Sequence, residues 1–77
     1  MFKELDGVVL TTDIEEEGLK AGDAGTIVHM YPGGDAFIVE FLTLDGDTVA
    51  LVDLLSSQAR PVTSRDITHA RIVETAV

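Results

Sequence analysis

The run Ala36-Phe37-Ile38-Val39-Glu40-Phe41-Leu42 decides the fold class. By the two-residue period of a strand, Phe37, Val39 and Phe41 fall on one face and Ile38 and Glu40 on the other, which is the pattern of a strand with one side on a core. Upstream, Pro32-Gly33-Gly34-Asp35 is a turn, because proline presets one φ and the glycines supply positive φ without steric cost. Thr26 to Tyr31 before it reads as the strand that completes a hairpin. Downstream, Asp45-Gly46-Asp47 is an Asp-Gly turn between two apolar runs, leading into a strand from Thr48 to Leu54. Val52 and Leu54 then face inward, and Val49 and Leu51 outward.

The flanks follow the same style. Val8-Val9-Leu10 is a first strand, Leu55 to Gln58 a single helical turn, and Ala59 to Val62 a short last strand. Pro61 donates no hydrogen bond, so that strand belongs at an edge or ends there. Asp13 to Asp23 is too short and glycine-rich for a stable helix and reads as a long ordered loop, although Glu15, Glu16 and Glu17 suit the start of a helical turn. Thr63 to Val77 shows a weak alternation (Ile67, His69, Arg71, Val73) that leaves an added strand, a short helix and a loose tail all open. The expected fold is all-β: a small five-stranded antiparallel SH3-like barrel over 1–62, with 63–77 as a C-terminal extension of the same domain. Closure is an economical way for so small a sheet to manage its edges.

Composition narrows the function. Seventy-seven residues make one domain, and such a chain buries only roughly 60–65% of the surface exposed when unfolded. There is no cysteine, hence no disulfide and no thiolate metal site. Nothing near the start combines a basic flank with an apolar run, and no window approaches a membrane span of about 20 apolar residues; the expected location is the cytoplasm. The net charge is −9, with eight acids and two lysines in residues 1–35 and six acids and three arginines in 36–77. Such a surface repels phosphate backbones, which argues against nucleic acid as a partner.

Gly22-Asp23-Ala24-Gly25-Thr26-Ile27-Val28 looks like the opening of many SH3-like barrels, the KOW type included. The wider set is more specific: Val8-Val9-Leu10, Glu16-Glu17-Gly18-Leu19, Tyr31-Pro32-Gly33-Gly34, Val39-Glu40-Phe41, Ala50-Leu51-Val52 and Gln58-x-Arg60-Pro61 resemble the small bacterial domain-of-unknown-function family 4926. The resemblance runs from about Leu5 to Val62. It implies a stand-alone cytoplasmic protein, in some members encoded beside a toxin-like partner, and brings no catalytic residue to carry over. Ile38 departs from the polar residue expected after Phe37 and puts an apolar side chain on the presumed outer face.

No residue set points to catalysis, a cofactor or a metal. His29 and His69 each lack a second His or Cys nearby and read as lone strand histidines facing solvent. Asp45-x-Asp47 lacks the remaining ligands of a calcium loop, and Gly33-Gly34 fits no phosphate-cradling pattern. Ser56, Ser57 and Ser64 sit in no nucleophile elbow. A chain this short also offers little room for a typical pocket of about 300 Å³ or more.

Two features stand out as contact candidates. The first is the acidic loop of Asp13, Glu15, Glu16 and Glu17, either a solvated surface or the mate of a basic one. The second is an outer apolar stripe of Tyr31, Ile38, Val49 and Leu51, which marks an interface unless Ile67, Ile72 and Val73 cover it. The leading expectation is a small binding protein acting through protein–protein contacts, in its specific form antitoxin-like or immunity-like, with a basic protein as partner. The alternative is a homo-oligomer joined through the stripe, and a KOW-like nucleic-acid module ranks third.

Overall fold

The computed structural model describes residues 2–73. Five strands, β1 (Gly7–Leu10), β2 (Ala24–Met30), β3 (Ala36–Leu42), β4 (Thr48–Leu55) and β5 (Ala59–Pro61), form one antiparallel sheet in the order β4-β3-β2-β1-β5. Two single 3-10 turns, Glu15–Glu17 and Ser56–Gln58, interrupt the connections. The all-β, five-stranded expectation holds, and β3 spans Ala36–Leu42 as the alternation required. β5 is an edge strand, so the missing N–H of Pro61 leaves no gap inside the sheet.

The sheet is rolled. Strands lie about 4.8 Å apart, so a flat sheet of five would put β4 roughly 19 Å from β5. Only Ser56–Gln58 separates them in sequence, and a 3-10 turn rises about 2 Å per residue. The two edges are therefore drawn toward each other at that corner. Among the described residues β4 and β5 do not pair, so no ladder closes the roll into a barrel.

Val8, Leu10, Ile27, Phe37, Val39 and Leu54 are fully buried inside the roll. Phe2 leans on Phe37 with ring centroids 4.9 Å apart and covers one end. Gly25 marks the tightest crossing: a Cβ there would sit 2.6 Å from Val39 Cγ1 and 2.8 Å from the Glu40 carbonyl oxygen. β2 must pass this close to β3 for the sheet to bend, and only glycine permits it.

Val49 corrects the outer-stripe expectation. A bulge between Phe41 and Leu42 shifts the β3–β4 register, and an extra residue in a ladder breaks the strict alternation of faces. Val49 packs against the core cluster and does not join Leu51 outside. Residues 63–73 form neither strand nor helix. Residues 74–77 of the expected C-terminal extension lie outside the described residues.

Candidate functional site: an outer apolar face and an acidic loop

Tyr31, Ile38 and Leu51 come together on the outer face of β2–β4. His29, Ile38 and Asp53 form one row across the three strands, and Thr26, Glu40 and Leu51 the next. Leu51 is 61% exposed and Leu55 58%, whereas Ile38 is half-buried between His29 and Asp53. The Tyr31 hydroxyl donates to Asp53 Oδ1 at 2.8 Å and its ring stands edge-on to His29. That bond, with some desolvation and the Asp53 charge, raises the phenol above its ordinary value, since ionising it would set two anions together. Glu40 accepts from Thr48 Oγ1 at 2.8 Å. The face thus has an apolar centre and an acidic border.

Among the described residues, the C-terminal segment does not cover this face. Ile67 and Ile72 are 90% and 89% exposed, and Val73 lines a groove elsewhere, with Val49.

The acidic loop is built differently. Ile14 and Leu19 bridge each other and are both buried, so they pin its two ends into the core. Gly18 turns the chain with φ 71°, and Asp13 Oδ1 accepts the Ala21 N–H at 2.8 Å. Glu15, Glu16 and Glu17 are left exposed on the 3-10 turn, with no ion pair among the described residues. Asp13 is therefore first a structural residue of the loop.

Asp23 holds the C-terminal segment down. Its nearly buried carboxylate accepts from Arg71 Nε at 2.8 Å, Arg71 Nη2 at 2.6 Å and Lys20 N–H at 2.9 Å, with His69 Nε2 at 3.2 Å. Burial pushes this carboxyl up, but the Arg71 fork, the Lys20 amide and His69 outweigh burial and hold it below its ordinary value. Arg71 Nη2 also donates to the Gly18 carbonyl at 2.9 Å, tying the segment to the back of the acidic loop. A second anchor lies at Arg60, whose guanidinium forks onto Asp66 at 2.6 and 3.1 Å.

His69 consequently departs from the expected solvent-facing strand position: it sits on the C-terminal segment against Gly22 and Asp23. His29 does lie exposed on β2. Bridging by the segment also creates space that chain length argued against. Clefts of about 370 and 550 Å³ open beneath it, the larger lined by Leu19, Phe41, Leu44, Val49 and Ile72. No three His, Asp or Glu side chains converge on a metal position among the described residues. No helix among them is long and apolar enough to cross a membrane.

Sequence reasoning placed Asp23 only at the end of the long loop and missed its tie to Arg71. No local signal gave it away, because an aspartate between glycines is ordinary turn chemistry. Comparison with curated proteins and with solved structures finds no match. A family profile described as domain of unknown function (DUF4926) matches residues 4–61. That stretch takes in all five strands and stops short of the Arg71 segment, and the chain belongs to the DUF4926 family.

Proposed function

We propose that this chain is a small acidic protein-binding module of the cytoplasm, which contacts a basic partner protein through the outer face of β2–β4. Its specific form is an antitoxin-like or immunity-like protein that caps a toxic partner. One observation carries the reading: Tyr31, Ile38 and Leu51 lie together, uncovered, inside a border of Glu40 and Asp53. Apolar anchors within a polar rim are the anatomy of an interface. Glu15, Glu16 and Glu17 add unpaired charge that speeds encounter with a basic surface. Nucleic acid suits this surface poorly, because Arg60 and Arg71 are already engaged by Asp66 and Asp23.

The test is capture from host lysate by the tagged protein at low and high salt, with Ile38→Asp and Leu51→Asp beside the wild type. A stoichiometric basic protein, held by the wild type and lost at high salt and in both variants, is the expected result. Capture unaffected by the two variants would overturn the assignment of this face. Reversing Glu15, Glu16 and Glu17 to Lys should slow association and flatten its salt dependence. Self-association through the same stripe is the second reading, favoured by Leu51 and Leu55 lying exposed on an unpaired edge strand. A wild-type dimer at low salt that Leu51→Asp turns into a folded monomer would select it.

A further inference from the structure

The open side of β4 has a definite polarity. The Ser56 N–H donates to the Asp35 carbonyl at 2.9 Å, one step beyond the Leu55–Ala36 pair of the β3–β4 register. Antiparallel ladders alternate hydrogen-bonded and non-bonded pairs. Counting back by twos, Leu54, Val52 and Ala50 turn their main-chain groups toward β3, while Leu55, Asp53 and Leu51 turn theirs to the open side. The Leu55 N–H bears this out, since it is taken from outside the ladder by Gln58 Oε1 at 2.8 Å.

Between that plug and the bulge beside Val49, the main chain of Leu51 and Asp53 meets no partner from outside the sheet among the described residues. Edge strands are usually protected by lysine, proline or a covering segment. β4 has no lysine and no proline, its bulge lies at the Val49 end, and the C-terminal segment runs elsewhere among the described residues.

We infer that a basic, extended segment of a partner protein adds to this edge as a sixth strand, pairing its main chain with Leu51 and Asp53. The inference rests on the protein-binding reading above and gives its mode of contact. Strand addition takes affinity from main-chain bonds and specificity from alternate side chains. The charge is one-sided: from Ala21 to Ala59 the chain has six acids and neither lysine nor arginine. On the outer face the added strand meets Leu51, Asp53 and Leu55 in turn, which calls for apolar, basic and apolar residues at two-residue spacing. A second copy fits worse. With the faces kept continuous, a register that pairs both Leu51 and Asp53 within the open stretch Leu51–Leu55 would set Leu51 against Asp53, or Asp53 against its own copy, in an assembly with twice the −9 charge.

The probe is the capped peptide Lys-Val-Thr-Lys-Thr-Val-Lys, which reads the same in both directions. Amide exchange followed by nuclear magnetic resonance is the readout. On saturation the Leu51 and Asp53 amides should exchange at least tenfold more slowly. The same peptide N-methylated along its pairing edge keeps its charge and should bind at least tenfold more weakly. Leu51→Pro should fold, because that N–H points out of the sheet, and should no longer bind. Asp53→Lys, at an exposed site, gives an independent variant that should weaken binding at least tenfold.

Shifts confined to Tyr31 and Ile38, with no protection at Leu51 and Asp53, would overturn strand addition and leave the outer-face reading standing. Absence of binding at millimolar peptide overturns it too, while capture by Ile38→Asp and Leu51→Asp judges the face separately. Protection that grows with protein concentration in the absence of peptide would replace the basic segment by a second copy.

Discussion

Replacing Asp23 with alanine should detach the C-terminal segment and expose how much of the stability it supplies. The carboxylate accepts three hydrogen bonds of 2.6–2.9 Å, from Arg71 twice and from Lys20 N–H, with His69 at 3.2 Å. A hydrogen bond to a charged group contributes about 1.5–3 kcal/mol net. Adding them would overshoot, because they share one acceptor. Once freed, Arg71 can also turn into water and is not stranded as a buried charge. A loss of about 2–3 kcal/mol follows, out of roughly 4–12 kcal/mol for a domain of this size. That corresponds to a fall in Tm of about 10–20 °C. Arg71→Ala should cost less, about 1–2 kcal/mol, because Asp23 keeps the Lys20 amide.

Urea and thermal unfolding of the wild type, both single variants and the double variant close the cycle, with an expected coupling of about 1–2 kcal/mol. The pH series gives the second check. Asp23 is held below its ordinary value in the folded state, whereas unfolded it titrates at about 3.9. Its contribution is therefore complete above roughly pH 5 and is lost as pH falls through the folded value. The gap between wild type and Asp23→Ala should narrow as pH falls toward 2. Additive single effects, or a gap unchanged between pH 7 and pH 2, would refute the clasp.

Two further changes probe the backbone. Gly25→Ala should destabilise by about 2–4 kcal/mol, since its methyl would meet Val39 and the Glu40 carbonyl, and a loss under about 0.5 kcal/mol would show that β2 and β3 do not cross so closely. Leu5 carries φ +72° and is largely exposed, so Leu5→Asn, a residue that tolerates this region, should stabilise by about 0.5–1 kcal/mol in thermal unfolding; a lowered Tm would mean the Leu5 side chain matters more than its backbone.

What the sequence made legible follows the range of each interaction. β3 was readable end to end because alternation and both turns are local. The outward position of Leu51 came from the same count, and that of Val49 failed because no residue type announces the bulge beside it. Ile14 and Leu19 were legible in principle as the lone apolar residues on either side of Glu15–Glu17. The clasp was not: Asp23 and Arg71 are 48 residues apart, and a long-range ion pair leaves no periodic trace. The clefts escaped for the same reason, since they exist only where the segment bridges the sheet.

The distribution of charge and apolar surface on β2–β4 argues for selection among partners. Exposed ion pairs contribute little to stability, and Glu40 and Asp53 make no pair with a cation among the described residues. Their carboxylates border Leu51 and Leu55, side chains that by themselves would favour association of identical edges. An acidic border opposes a second copy and favours a basic strand, which is specificity gained by repulsion as well as attraction. Salt should reverse the preference. At 1 M the screening length falls to about 3 Å, against about 30 Å at 0.01 M, so the border loses its reach while the apolar contact is kept. Sedimentation should then show wild-type protein monomeric at low salt and dimerising at 1 M, with Leu51→Asp monomeric at both. A basic partner should be lost over the same range. A mass that does not change with salt while the partner is released would mean that the acids attract the partner without guarding the edge.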